Sequence, residues 1–434
     1  MTNLHSATAQ GAHALSAGRE RLVLLVLTAL QMSHLLDFMV LTPLGPQLMR
    51  VFGITPTQVG LFVTVYTLSA ALASLLSAFV IDRFDRKRAL LWVYGGFLLS
   101  ALASALAPSY ALLLLARVLA GAFGGLLTGI VLAIVSDVVP EARRGRALGM
   151  VMSAFAVSSI VFLPLCLWLG SHYTWRGAYG AVLLLGALAG PLAAWLLPPV
   201  RSHMEAQAAS HAAAWRIGGL FGQARQVLCD ANHRRALLLA GLLNASSFAL
   251  VPYLSPYLVL NAGVGEAELS LVYFTGGIGS LLAVHGSGRL ADRMNRYRQF
   301  LIGAALTVLI TLLITQWPRA PLWATLLVSL GVFMFFPARN VPAMALITAA
   351  AQPPVRGSFM AFMAFMQHAS TGLASLLAGL IVGQSDSGAL THYGWVGAMS
   401  ASITLLCMWL AGRVRRAAIA TANAPATNVA VQQS

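Results

Sequence analysis

Runs of apolar residues, each long enough at a 1.5 Å rise per residue to cross about 30 Å of hydrocarbon, recur along almost the whole chain. Few folds survive that constraint. Inside a bilayer every backbone N–H and C=O needs a partner within the protein, so segments of this length read as helices. Twelve are expected, at 21–45, 56–81, 89–107, 110–136, 147–169, 178–198, 235–259, 268–290, 299–316, 321–347, 358–383 and 394–414. Composition agrees: of 434 residues, 59% are apolar and 9% charged, far below the charged share of a water-soluble domain. The expected class is an all-α polytopic membrane protein.

The polar remainder orients the chain. Of the 27 Lys and Arg, Arg50, Arg176 and Arg319 fall in loops on one side, Arg117 and Arg339 within helices, and all others on the opposite side. The positive-inside rule then predicts a multi-pass protein of the cytoplasmic (inner) membrane with both termini cytoplasmic. The same sorting removes the net charge of +15 as a sign of nucleic-acid binding, because the basic residues are spread over short turns. Residues 1–20 are small and polar, and the apolar run after them is too long for a cleaved leader. Three scattered cysteines, Cys166, Cys229 and Cys407, imply neither a disulfide framework nor a metal site. Expected boundaries are an N-terminal tail (1–20), a six-helix bundle (21–198), a central cytoplasmic loop (199–234), a second six-helix bundle (235–414) and a C-terminal tail (415–434). In the central loop, "AAWRIGGLFGQARQVLCD" reads either as a helix on the membrane surface or as a flexible linker.

The two halves repeat each other. "AFVIDRFDRKR" (78–88) follows the second span and "GRLADRMNRYR" (288–298) the eighth, with Asp82/Asp292, Arg83/Arg293 and Arg86/Arg296 all offset by 210. "PEARRG" (140–145) and "PPVRG" (353–357) place Arg144 and Arg356 at an offset of 212. Two motifs at nearly one offset indicate a duplicated six-helix unit.

These loops resemble the signature G-x-L-A-D-R-x-G-R-K/R of the major facilitator superfamily, and "RVLAG" (117–121) resembles its R-x-x-x-G motif on helix four. "YTLSAALASLLSAFVIDRFDRKR" and "YFTGGIGSLLAVHGSGRLADR" are similar to the helix-two and helix-eight patterns of its twelve-helix drug and sugar efflux branch. The resemblance implies two pseudo-symmetric six-helix bundles, a central cavity lined by helices 1, 4, 7 and 10, and a cytoplasmic latch. Asp82, Arg83, Arg86, Asp292, Arg293, Arg296 and Gly288 are its residues, with Asp137 an expected second acid for Arg86. Ile347 stands 210 residues beyond Asp137, so the latch should be stronger in the first repeat. Asp85 and Asn295 replace the signature's later glycine, and a tight turn with φ above zero is expected to accommodate them. On helix five, "SSIVFLPLCLWLG" keeps Pro164 without the branch's usual glycines.

"LLLLARVLAGAFGG" (112–125) sets Arg117 inside hydrocarbon, where an uncompensated charge costs about 2.5–3.5 kcal/mol on the insertion scale. Counting in from the outer face puts Arg117 about 10 Å deep on helix four and Asp37 about 12 Å deep on helix one, so the two are expected to face each other across the cavity. One reading makes Asp37 a proton- or substrate-binding carboxylate tuned by Arg117. The other makes the pair a structural lock, or Arg117 a donor to helix-one carbonyls. His34 and Gln31, three and six residues earlier, either line the same cavity or pack. Asn244, Tyr253 and Tyr257, with Gln367 and His368, are candidate substrate contacts or interhelical hydrogen bonds, and Arg339 between Pro337 and Pro342 is a candidate gate residue. "FMFF" (333–336) and "FMAFMAFMQ" (359–367) offer adaptable apolar surface or simple packing.

Neither an H-E-x-x-H cluster nor a Walker-type loop is present, so an enzyme or ATP-driven pump is not expected, and no cofactor is implied. The expected function is secondary export of drug-like compounds or sugars in exchange for protons by a monomer in the lipid bilayer. Proton-coupled uptake is the alternative. Substrate charge stays open, since Asp37 suits a cation and the two arginines suit an anion.

Overall fold

The computed structural model describes residues 17–80, 84–200, 217–291, 293–352 and 355–415. Among them are twelve helices long and apolar enough to cross a membrane. They are α1 (Ala17–Val40), α2 (Pro56–Val80), α3 (Arg86–Leu106), α4 (Tyr110–Val138), α5 (Arg143–His172), α6 (Trp175–Leu196), α7 (Ala231–Leu260), α8 (Leu269–Ala291), α9 (Arg296–Ile314), α10 (Leu322–Ala349), α11 (Arg356–Ile381) and α12 (Tyr393–Ala411). All twelve expected spans are found, with ends displaced by a few residues.

The largest displacement has a simple cause. α1 stops at Val40 rather than running to 45, because Pro43 and Pro46 each lack the N–H an α-helix needs and crowd the preceding turn. The chain restarts as a short helix, Gly45–Phe52, with Pro46 in its first turn, where a missing N–H costs nothing. In α5, Pro164 removes one helical donor, and Ser158–Phe162 just before it widens into a π-turn. Ile217–Cys229 is helical, so the described part of the central loop takes the helix reading.

Each half repeats one set of pairings. α1 packs on α6, α2 on α4, α3 on α4 and α3 on α6; in the second half α7 packs on α12, α8 on α10, α9 on α10 and α9 on α12. Two seams join the halves, α2 against α11 and α5 against α8. Large apolar side chains, including Trp92, Trp195, Trp323, Trp395 and Trp409, cover the outside, as a bundle facing lipid requires. With twelve crossings among the described residues, Ala17 and Arg415 lie at one end together with Arg86 and Arg296; it is called the basic end below, and the other the far end.

The turn into α3 corrects one expectation. Asp85 has φ −54° and Asn295 φ −60°, so neither adopts the left-handed conformation. Each is instead a helix N-cap: Asp85 Oδ1 accepts from the Lys87 backbone N–H at 2.9 Å, and Asn295 Oδ1 from that of Tyr297 at 2.8 Å. Asp and Asn serve here through their side-chain acceptors, which a glycine lacks. Asp85 also accepts from the Val200 N–H at 3.3 Å and so ties the start of α3 to the end of α6. Gly288 is exposed with open space around its Cα.

Candidate functional site

Arg117 and Asp37 meet. One guanidinium nitrogen of Arg117 donates to both carboxylate oxygens of Asp37, at 2.8 and 3.0 Å, and the other to the Asp37 backbone carbonyl at 3.2 Å. Ser104 on α3 accepts at 3.2 Å, and the rings of Tyr66 and Tyr179 lie 5.3 and 5.7 Å from the guanidinium carbon. Both charged side chains are buried, at 2% and 0% exposure. Matched depth on α1 and α4 brings them together, and the pair sheathed by α2, α3 and α6 satisfies the rule that a buried charge must be compensated.

Neither Asp37 nor Arg117 lines either of the two cavities described below. The next residues, Phe38 and Met39, line one of them. At about 100° per residue, one step along α1 turns from the interior of the first bundle to the seam between the halves. His34 and Gln31 share the interior face: His34 Nδ1 is 3.1 Å from the Tyr66 hydroxyl, and Gln31 donates to Thr128 Oγ1 at 2.8 Å.

Two of the cavities between the halves adjoin the candidate residues. The smaller, about 180 Å³, is bounded by α1, α5, α7, α8 and α10; Phe38, Phe155, Phe248, Tyr273, Phe333 and Phe336 give it an aromatic wall, and Asn244, Ser247 and Asn340 a polar one. The larger, about 500 Å³, reaches from Arg86 at the basic end to Gln367 and His368 midway along α11, and Thr128 opens onto it. Asn244, Gln367 and His368 are therefore cavity residues. "FMFF" contributes Phe333 and Phe336, and "FMAFMAFMQ" contributes Met360, Met363 and Gln367. Ser247, Phe248 and Asn340 were not singled out in the sequence, although an amide such as Asn340 inside an apolar span was a usable signal.

Tyr253 and Tyr257 are elsewhere. Buried Tyr253 donates to the Ser375 carbonyl at 2.8 Å, while Ser375 Oγ donates to the Gly60 carbonyl at 3.0 Å and Thr64 Oγ1 to that of Gly372 at 3.1 Å. Tyr253 thus belongs to the α2–α11 seam toward the far end, where a methyl on Gly60 would overlap its hydroxyl. Tyr257 donates to the Trp317 carbonyl at 3.0 Å. Across the far end itself Arg50 pairs with Glu266 through both guanidinium nitrogens. That hydrogen bond raises the Arg50 guanidinium above its ordinary pKa.

At the basic end, Arg86 donates to Asp137 at 2.7 Å and to the Ala133 carbonyl at 3.0 Å. In the second repeat Arg293 and Arg296 are exposed and Ile347 is buried. Asp82, Arg83 and Asp292 lie outside the described residues.

Arg339 is fully buried and pairs with no acid among the described residues. It donates to Thr404 Oγ1 at 2.7 Å, Ser246 Oγ at 2.8 Å, Ser247 Oγ at 2.9 Å and the Leu243 carbonyl at 3.4 Å, with the Phe336 ring 4.7 Å from its carbon. It lies behind the polar wall of the smaller cavity, in contact with lining residues Ser247 and Phe336. Among the described residues no three His, Cys, Asp or Glu gather as metal ligands.

Comparison with known proteins agrees with this architecture. The chain is 30% identical over 232 residues to a chloramphenicol resistance protein of Streptomyces lividans, covering 51% of this chain and 54% of that one, so it spans about half of that relative. It is 24% identical over 380 residues to the MFS-type transporter YceJ of Bacillus subtilis (strain 168), covering 86% and 91%. The fold matches a crystal structure of a D-xylose–proton symporter with a TM-score of 0.70 at 16% identity, over 90% of this chain and 97% of that one. The model of the Major Facilitator Superfamily matches residues 27–229 and 236–431. With the duplicated six-helix bundles, that match identifies the chain as a multi-pass membrane transporter belonging to the Major Facilitator Superfamily.

Proposed function

We propose that the protein exports a small drug-like molecule from the cytoplasm in exchange for protons, as a monomer in the inner membrane. The positive-inside rule makes the basic end cytoplasmic. With the far end closed by Arg50–Glu266 and the α2–α11 seam, and a cavity reaching in from the basic end, the conformation is then inward-facing. The name of the Streptomyces lividans relative favours export of an antibiotic-like compound over uptake.

The observation that carries the coupling is the buried Asp37–Arg117 pair. A carboxylate held by a guanidinium away from water can trade its charge for a proton only when one of them moves or water enters. α1 supplies the link, because Phe38 and Met39 touch the cavity while Asp37 touches Arg117, so occupancy of one side shifts the other. Gln31 and His34 continue the polar face of α1, and Gln31 reaches Thr128 at the larger cavity, a route for protons toward the cytoplasm. One charge moved through 100 mV is worth about 2.3 kcal/mol, enough for about a 50-fold substrate gradient.

Proteoliposomes test the reading. A pH gradient should drive chloramphenicol flux through the wild-type protein, and Asp37→Asn should reduce the pH-driven part at least about tenfold while downhill exchange persists. Undiminished pH-driven flux in Asp37→Asn would remove Asp37 from the coupling.

A further inference from the structure

The smaller cavity differs from its surroundings in one respect: a full positive charge stands behind one wall and no acid stands in front of it. Arg339 is held by hydroxyls and a carbonyl, which lend partial charge but do not neutralise it. Two of its contacts, Ser247 and Phe336, are themselves cavity-lining, so the guanidinium is one side chain from the enclosed space. None of the lining residues is acidic. Asp37, the acid beside the opposite wall, is turned away and fully engaged by Arg117. On the charged side Asn340 Oδ1 is buried without a hydrogen-bond partner, although Asn340 lines the cavity. Asn244 and Ser247 add further polar groups to the same cavity lining.

We infer that this cavity selects a small aromatic molecule whose polar group is neutral or anionic, and that it excludes cations. The statement deepens the proposed export function by assigning its substrate class, and it rests on that cavity being the substrate site. The aromatic wall supplies ring-to-ring contacts. The volume of about 180 Å³ suits one ring with a short substituent, since an apolar cavity of about 150 Å³ takes up benzene. An amide or protonated hydroxyl donates to Asn340, and a carboxylate gains from the Arg339 field. An ammonium group gains neither a carboxylate nor relief from the guanidinium.

Protection of an introduced thiol reads this out. Phe248→Cys places a thiol on the cavity wall in a Cys229→Ser background, since Cys166 and Cys407 are buried. Labelling by a small neutral maleimide is timed with 3-phenylpropanamide, 3-phenylpropanoate or 3-phenylpropylammonium present. The amide and the carboxylate should each slow labelling at least about threefold, and the ammonium should have almost no effect. Adding Asn340→Asp puts a carboxylate on the wall and should make the ammonium the best protector. Equal protection by the ammonium without Asn340→Asp, no protection by any probe, or an order unchanged by Asn340→Asp each overturns the inference. Lost protection with intact pH-driven flux sinks the cavity assignment alone, whereas ordered protection with no pH-driven flux sinks the coupling alone.

Discussion

Arg117 and Arg339 are both fully buried arginines, one in each half, and they are compensated in opposite ways. Arg117 has a formal counter-charge in Asp37, whereas Arg339 has only the dipoles of Thr404, Ser246, Ser247 and Leu243 and the face of Phe336. The first site is neutral as a unit. The second has no acid partner among the described residues, and dipoles alone offset its charge. Each of the two duplicated bundles thus holds a buried arginine, one answered by an acid and the other by dipoles.

The sharpest test of that contrast is a mutant cycle. Asp37→Leu strands the Arg117 guanidinium in the bundle and should cost about 3–5 kcal/mol, whereas the double variant Asp37→Leu/Arg117→Leu should recover most of it. Arg339→Leu leaves no ion behind, so its cost should be smaller, about 1–3 kcal/mol from hydroxyls left unpaired. Unfolding in detergent measures all three against the wild type. Equal costs for Asp37→Leu and Arg339→Leu would erase the distinction.

Hydroxyl deletions sharpen it further. Ser246→Ala or Thr404→Val removes a main acceptor of Arg339 and should lower stability by about 1–2 kcal/mol each in the same assay. Ser104→Ala should cost less than about 1 kcal/mol, because Asp37 already satisfies the nitrogen that Ser104 shares. The smallest effect is expected at the far end. Arg50 is 60% exposed, so Glu266→Gln should change stability by no more than about 1 kcal/mol, and less at high salt. Its consequence should appear instead in conformation, as a larger population with α2 and α11 separated, read by spin-label distances across the exposed positions 55 and 380.

The sequence announced the ion pair because a charge among leucines must be answered, and depth along two helices sufficed to name the partner. Its orientation was harder. A single residue separates Asp37, facing the bundle interior, from Phe38, facing the cavity, and apolar periodicity carries little phase information when almost every position is apolar. For the same reason Phe333 and Phe336 could not be told from packing residues, and for Tyr253 a substrate contact could not be told from the interhelical hydrogen bond it makes to Ser375. Asp85 and Asn295 were recognised as turn residues, but the capping role depends on where the following helix begins. Arg50 and Arg176 stood out as exceptions to the charge asymmetry, and both turn out to be engaged: Arg50 spans the halves, and Arg176 donates to the Ala105 and Ala107 carbonyls at the end of α3.

The wide turn in α5 has a mechanical consequence. Gly277 on α8 lies against it so closely that a side-chain carbon there would come within 3.0 Å of the Ile160 backbone. At this crossing Ile160, side chain and main chain together, rests on the bare main chain of Gly277 in the other half, and a bearing of that kind lets two rigid bodies tilt while their point of support stays put.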